Sequence, residues 1–198
     1  MKLNKKVLGL IVLGGLAVSG NSWSGTASAL DLANSCAGCH GVDGSSVGPA
    51  TPSLAGMSSE YFVEAMASYK DPEGRYSTIM GRIAKGYTEE EIKLMSGYFA
   101  KQKMTPANQK FDAKQAKAGA KLHKKYCEKC HEDGGRSAED DAGILAGQWI
   151  EYMQFTMDDF TSGKRDMPKK MKKKVKKLEK SKGAAGMSAL MNYYGSQK

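Results

Sequence analysis

Apolar side chains recur at helical spacing wherever a period is clear in this chain. Phe62, Met66 and Tyr69 stand at i, i+4 and i+7, and Met153, Met157 and Phe160 repeat that stripe further on. Ser58 or Ser59 offers an N-cap to the first of these helices, and Asp71-Pro72 ends it. Thr88-Glu89-Glu90-Glu91 is a capping box, so a helix that turns Ile92, Met95 and Phe99 inward is predicted to follow. Phe111 to Tyr126 is helix-prone, whereas the glycine-rich stretches Gly41 to Ala50 and Gly134 to Gly143 read as loops. No segment alternates apolar and polar positions as a half-buried strand would, and the predicted class is all-α.

The two stripes are related by a shift of 91 residues, the separation of Cys36 and Cys127. The same shift carries Gly44 onto Gly135, Leu54-Ala55-Gly56 onto Leu145-Ala146-Gly147 and Glu60-Tyr61 onto Glu151-Tyr152. It also carries Met66 onto Met157 and Met80 onto Met171. The chain is therefore read as two copies of one small helical domain, 30–104 and 105–198, divided near Lys101 to Asn108, where Pro106 follows a helical run. Units of this size are marginal when they rely on a protein-only core, and a bound apolar group would supply the missing mass.

Such a group is indicated by Cys36-Ala37-Gly38-Cys39-His40 and Cys127-Glu128-Lys129-Cys130-His131. C-x-x-C-H is the attachment motif of c-type haem: the thiols of Cys36 and Cys39, and of Cys127 and Cys130, form thioethers to one porphyrin each. His40 and His131 then serve as the proximal iron ligands. The motifs use all four cysteines and two of the three histidines. A zinc site built from paired C-x-x-C would have about 15–20 residues between the pairs, far fewer than separate Cys39 from Cys127, and a thioredoxin-like pair would need a βαβ context. Two covalent haem c groups are expected.

The third histidine, His123, lies four residues before Cys127 on the same predicted helix and is read as a surface or packing residue. Methionine is then the natural sixth ligand, and a His/Met pair raises the reduction potential. Met80 follows His40, and Met171 follows His131, by the same distance, so the repeat selects this pair among the 12 methionines. Met167, which precedes Pro168, competes with Met171, but its counterpart in the first half is Tyr76. Met57, Met66, Met95, Met153, Met157 and Met187 are read as core.

Lys2, Lys5 and Lys6, an apolar stretch from Val7 to Val18 and Ala27-Ser28-Ala29 have the form of a cleavable export signal over 1–29. The apolar run is shorter than the ~20 residues of a spanning helix. A periplasmic location is expected, since haem is attached to such motifs outside the bacterial cytoplasm. The chain carries 30 basic and 21 acidic residues; without the signal the surplus is modest and does not call for nucleic acid. Much of the positive charge lies between Lys164 and Lys182, where Met171, Val175 and Leu178 stand at i, i+4 and i+7. That segment reads as an amphipathic helix, and its lysines either as a solvated face or as an electrostatic collar that steers an acidic redox partner.

Two C-x-x-C-H domains, each followed by Leu-Ala-Gly, a Tyr-bearing helix and a distal Met, resemble the diheme cytochrome c4 group. Ser77 to Tyr87, Gly119 to His131, Ile144 to Trp149 and Tyr193 to Gln197 are similar to one branch of it, the diheme cytochrome subunit of flavocytochrome c sulfide dehydrogenase. The resemblance spans nearly all of the chain after the signal. It implies two tandem class I-like cytochrome c domains, and a FAD-binding flavoprotein subunit as partner that oxidises sulfide and passes electrons to the haems. A soluble or membrane acceptor would then take them. The chain has no G-x-G-x-x-G fingerprint, so flavin chemistry is expected in the partner and this chain is expected not to be an enzyme. A free-standing cytochrome c4-type carrier would share every ligand. A diheme peroxidase would need an open sixth position, against which the Met80 and Met171 pair argues.

Overall fold

The structure is a computed structural model and describes residues 27–137 and 142–198. Residues 1–26, most of the expected export signal, lie outside the described part. The described residues form helices joined by loops, without a strand. In the first half these are α1 (Ala29–Asn34), α2 (Ala37–His40), α3 (Ser59–Lys70), α4 (Met80–Ile83), a 3₁₀ turn (Ala84–Gly86) and α5 (Glu89–Phe99). The second half has α6 (Ala113–Tyr126), α7 (Glu132–Gly135), α8 (Ile150–Ser162) and α9 (Lys169–Gly195). None is long and apolar enough to cross a membrane among the described residues.

Local chemistry explains the helix boundaries. Ser58 caps α3 by accepting from the Tyr61 N–H. Thr88 and Glu91 form the reciprocal capping box that opens α5. The α5 face bearing Ile92, Met95 and Phe99 is buried against Leu32, Phe62 and Met66, which makes the first core. In the second core Met153, Leu178, Leu190, Met191 and Tyr194 play the same part. Each such side chain contributes about 1.5–3 kcal/mol by leaving water.

Both halves use the same tie between haem-motif loop and C-terminal helix. The Gly44 carbonyl accepts from the N–H groups of Leu54 and Ala55, and Gly56 N–H donates to the Phe99 carbonyl at 2.9 Å. In the second half Gly135 accepts from Leu145 and Ala146, and Gly147 donates to the Tyr194 carbonyl at 2.8 Å. Gly44 and Gly135 both have positive φ, and a Cβ on either would run into the Phe99 or Tyr194 ring.

Phe99 and Tyr194 are thus equivalent, although 95 residues separate them instead of 91. The extra four residues lie between Phe160, the counterpart of Tyr69, and Tyr194. Gly183 (φ 59°, ψ −157°) breaks the helical path there, and the residues beyond it match α5. The gap-free repeat therefore stops short of the last helix.

The halves meet through a buried amide. Gln148 Oε1 accepts from the Ser53 N–H at 2.9 Å, and its Nε2 donates to the Ser53 carbonyl at 3.0 Å. Trp149 Nε1 donates to the Ser46 carbonyl, and the Thr105 N–H donates to Ser45 Oγ.

Close approach of α6 to α9 depends on Gly119, where a Cβ would collide with the Ala189 carbonyl. Gly119→Ala is expected to destabilise the holoprotein by about 1–3 kcal/mol or more through overpacking. Gly97 in α5 faces open space, and Gly97→Ala is expected to stabilise it by about 0.5–1 kcal/mol. Thermal unfolding of the two variants checks the opposite signs.

Candidate haem sites

Each C-x-x-C-H motif is wound into one tight helical turn. In the first, the N–H groups of Cys39 and His40 both donate to the Cys36 carbonyl, at 3.2 and 2.9 Å. In the second, Cys130 and His131 donate to the Cys127 carbonyl, at 3.1 and 3.0 Å. The turn puts residues i, i+3 and i+4 on one side, so two thiols and an imidazole converge. No disulfide joins the four cysteines; Cys36 and Cys127 are half-buried, and Cys39 and Cys130 are exposed.

His40 is buried, and its Nδ1 lies 2.9 Å from the Pro52 carbonyl. That bond places the proton on Nδ1 and leaves Nε2 as the free donor for iron. Burial lowers the His40 pKa against the raising effect of the Pro52 bond. In the second half the residue in register with Pro52 is Gly143, and His131 Nδ1 is buried without a hydrogen-bond partner among the described residues. Burial, followed by the neighbouring His123, pushes the His131 pKa down to about 4. Both imidazoles are therefore neutral near pH 7, the form that ligates a metal.

Met80 is the first residue of α4, held there by its N–H donating to Ser77 Oγ at 3.0 Å. It is half-buried and packs on the same core as Cys36. Met171 lies in the first turn of α9, half-buried, on the stripe that continues through Val175 to the fully buried Leu178. Met167 is also half-buried, just outside α9 before Pro168. Met57, Met66, Met95 and Met153 are buried, and Met157 and Met187 pack on the second core.

His123 is not a surface residue. It is 1% exposed, its Nδ1 lies 2.9 Å from the Tyr194 hydroxyl, and its Nε2 lies 2.7 Å from a Glu128 carboxylate oxygen. The packing half of the expectation holds: Tyr193 and Tyr194 enclose the ring from α9. The Pro52 carbonyl and the Tyr194 hydroxyl were not found by sequence reasoning. For Pro52 a signal existed, a proline just ahead of Leu54-Ala55-Gly56, but no pattern marks Tyr194 as a histidine partner.

The donor set fits haem c in both halves: two cysteines outside any disulfide in one turn, followed by a neutral, withdrawn imidazole. Among the described residues no group of three or more His, Cys, Asp or Glu is arranged to hold a metal ion directly.

Known proteins agree with this chemistry. The sequence model of the family Cytochrome c matches residues 27–108. Cytochrome c4 of Stutzerimonas stutzeri is 30% identical over 148 residues, 66% of this chain and 69% of that protein. The cytochrome subunit of sulfide dehydrogenase from Chlorobaculum tepidum is 53% identical over 68 residues, but the match spans 34% of this chain and 60% of that subunit. The crystal structure of reduced recombinant cytochrome c4 from Pseudomonas stutzeri superposes with a TM-score of 0.73 at 23% identity, over 86% of this chain and 97% of the other. With two attachment turns and a cytochrome c4-like helical fold, this chain belongs to the cytochrome c family as a diheme, cytochrome c4-like electron carrier with two covalent haem c groups.

Proposed function

We propose that the chain is the exported electron-transfer subunit of a sulfide dehydrogenase: it accepts electrons from a FAD-binding flavoprotein subunit and passes them to a downstream acceptor. The observation that carries this reading is the 53% identity to the Chlorobaculum cytochrome subunit. That level is well above the 30% found against cytochrome c4 of Stutzerimonas stutzeri. The basic n-region and Ala27-Ser28-Ala29 support export to the periplasm.

In this reading residues 30–104 and 105–198 are two haem domains. Cys36 and Cys39 hold the first haem, and Cys127 and Cys130 the second. His40 with Met80 would ligate the iron of the first haem, and His131 with Met171 that of the second. Bound haem c would supply a one-electron couple, and a methionine paired with a histidine as iron ligands would raise its potential. Pro52 orients His40 through Nδ1, and Ser77 fixes the start of the turn that presents Met80.

The lysines of α9 serve the downstream step. Lys172, Lys173, Lys174, Lys176 and Lys177 are exposed around the stripe that begins at Met171. Residues 30–104 hold 7 Lys or Arg against 9 Asp or Glu, whereas residues 105–198 hold 20 against 12. An acidic acceptor is drawn to the second half by that asymmetry.

A free-standing cytochrome c4-type carrier is the second reading, favoured by the longer match to cytochrome c4 of Stutzerimonas stutzeri. Mild purification from the native host separates the two. Copurification of a flavoprotein, with sulfide bleaching flavin and reducing haem, is the expected result; a chain that elutes alone and is reduced by sulfide only slowly would overturn the subunit reading.

The axial pairs are tested by substitution. Met80→Leu and Met171→Leu are each expected to remove half of the methionine-to-ferric-iron charge-transfer absorption and to lower one midpoint potential. Met167→Leu is expected to change neither. Loss of the band in Met167→Leu instead would move the second ligand to Met167.

A further inference from the structure

A second basic surface lies apart from the lysines that follow Met171. Between α6 and the last part of α9 runs a surface groove of about 610 Å³. Lys114, Lys117, Lys121 and Lys125 line it from α6, and Lys182 lines it from α9. All five are exposed. The four on α6 recur at intervals of three, four and four residues, so they form one row along the helix, about 16 Å from first to last. The rest of the lining is small or apolar: Ala118, Leu122, Tyr126, Ala185, Gly186 and Ala189.

No acid answers this charge. Within α6 there are five lysines and no Asp or Glu. Glu179 is the one acid of α9, and it does not line the groove. Asp112 caps α6 by accepting from the Gln115 N–H, and Glu128 is held 2.7 Å from His123. Among the described residues none of the five groove lysines forms an ion pair. Like charges in a row repel one another, and an anionic occupant relieves that repulsion.

The helix pairing does not itself require this arrangement. Tyr194 is the counterpart of Phe99, and by that spacing Ala185 stands where the first half has Glu90, and Ala189 where it has Leu94. On α6, Lys121 and Lys125 stand where the 91-residue shift finds Leu30 and Asn34. The second half thus sets lysines on one helix beside small side chains on the other, which leaves room between them.

A flat anionic surface would meet the lysine tips and leave the apolar lining uncovered. A helix covers both: carboxylates three and four residues apart match the α6 row, and an apolar side between them reaches Ala118 and Ala185. About eleven or twelve residues span the row. We propose that this groove docks an acidic, amphipathic helical segment of a partner protein. Lys172 to Lys177 do not line it, so docking here leaves the basic surface beside Met171 open to an electron acceptor. The inference does not depend on which protein supplies the electrons.

The test is isothermal titration of the two-haem protein, at low ionic strength, with a synthetic helical peptide of about 12 residues, Glu at three- and four-residue intervals and Ala or Leu between. Lys117→Glu combined with Lys121→Glu is expected to weaken binding about tenfold or more, since like charges then face each other. Ala185→Glu, which places the first half's residue type in the groove, should weaken it as well, whereas Lys172→Glu with Lys173→Glu should change it little. Each variant is first shown to carry two haems. An equal loss in the Lys172/Lys173 variant would overturn the proposal and reduce the groove lysines to general positive charge. So would absence of binding, or equal binding of a peptide with the same composition and its glutamates in one block. Phosphatidylglycerol vesicles are the second arm. Vesicles that bind the parent protein where the peptide does not, and fail to bind the Lys117/Lys121 variant, would put a membrane in place of a protein segment. Sedimentation of the parent protein alone covers a second copy of this chain: a dimer that the same variant dissolves would overturn an outside partner.

Discussion

The helical turn that brings two thiols and an imidazole to one side of the backbone is the constraint on which the rest depends. Cysteines at i and i+3 with histidine at i+4 converge only while the carbonyl of the first cysteine holds the N–H groups of the other two. Everything next to the turn keeps it in place. α1 and α6 deliver the chain into it, and glycine-cornered loops carry the chain away to Leu-Ala-Gly. The C-terminal helices close over both through a single backbone bond from Gly56 or Gly147.

Duplication of this unit creates a second level of order. The halves touch through polar contacts: Gln148 with Ser53, and a nearly repeat-related pair, Arg75 with Tyr152 and Arg165 with Tyr61. Such an interface differs from the two apolar cores it joins. Its hydrogen bonds set orientation more than stability, since each nets about 0.5–1.5 kcal/mol. Orientation is what electron transfer between two fixed haems requires of the protein.

Local features were legible in the sequence because they depend on neighbours three or four residues away. The Thr88 capping box, the Ser58 cap, the stop at Asp71-Pro72 and the buried face of Ile92, Met95 and Phe99 all appear as read. Features that depend on distant partners were not legible. His123 is buried because Tyr194, 71 residues away, meets it from α9. The arginine–tyrosine exchange needs both halves folded and docked before either pair exists. The longer spacing before Tyr194 was hidden because lysines dominate the stretch ahead of Gly183 and leave few apolar positions to align. The attachment motifs were legible for the opposite reason: their chemistry is complete within five residues.

Mass spectrometry of the intact, denatured holoprotein tests the central claim most directly, since thioether-bound haem survives unfolding and ligated haem does not. The account predicts one species heavier than the polypeptide by two haem groups, with Cys36, Cys39, Cys127 and Cys130 all unavailable to a thiol reagent. A polypeptide that emerges with one haem or none, or with reactive cysteines in either motif, would contradict it.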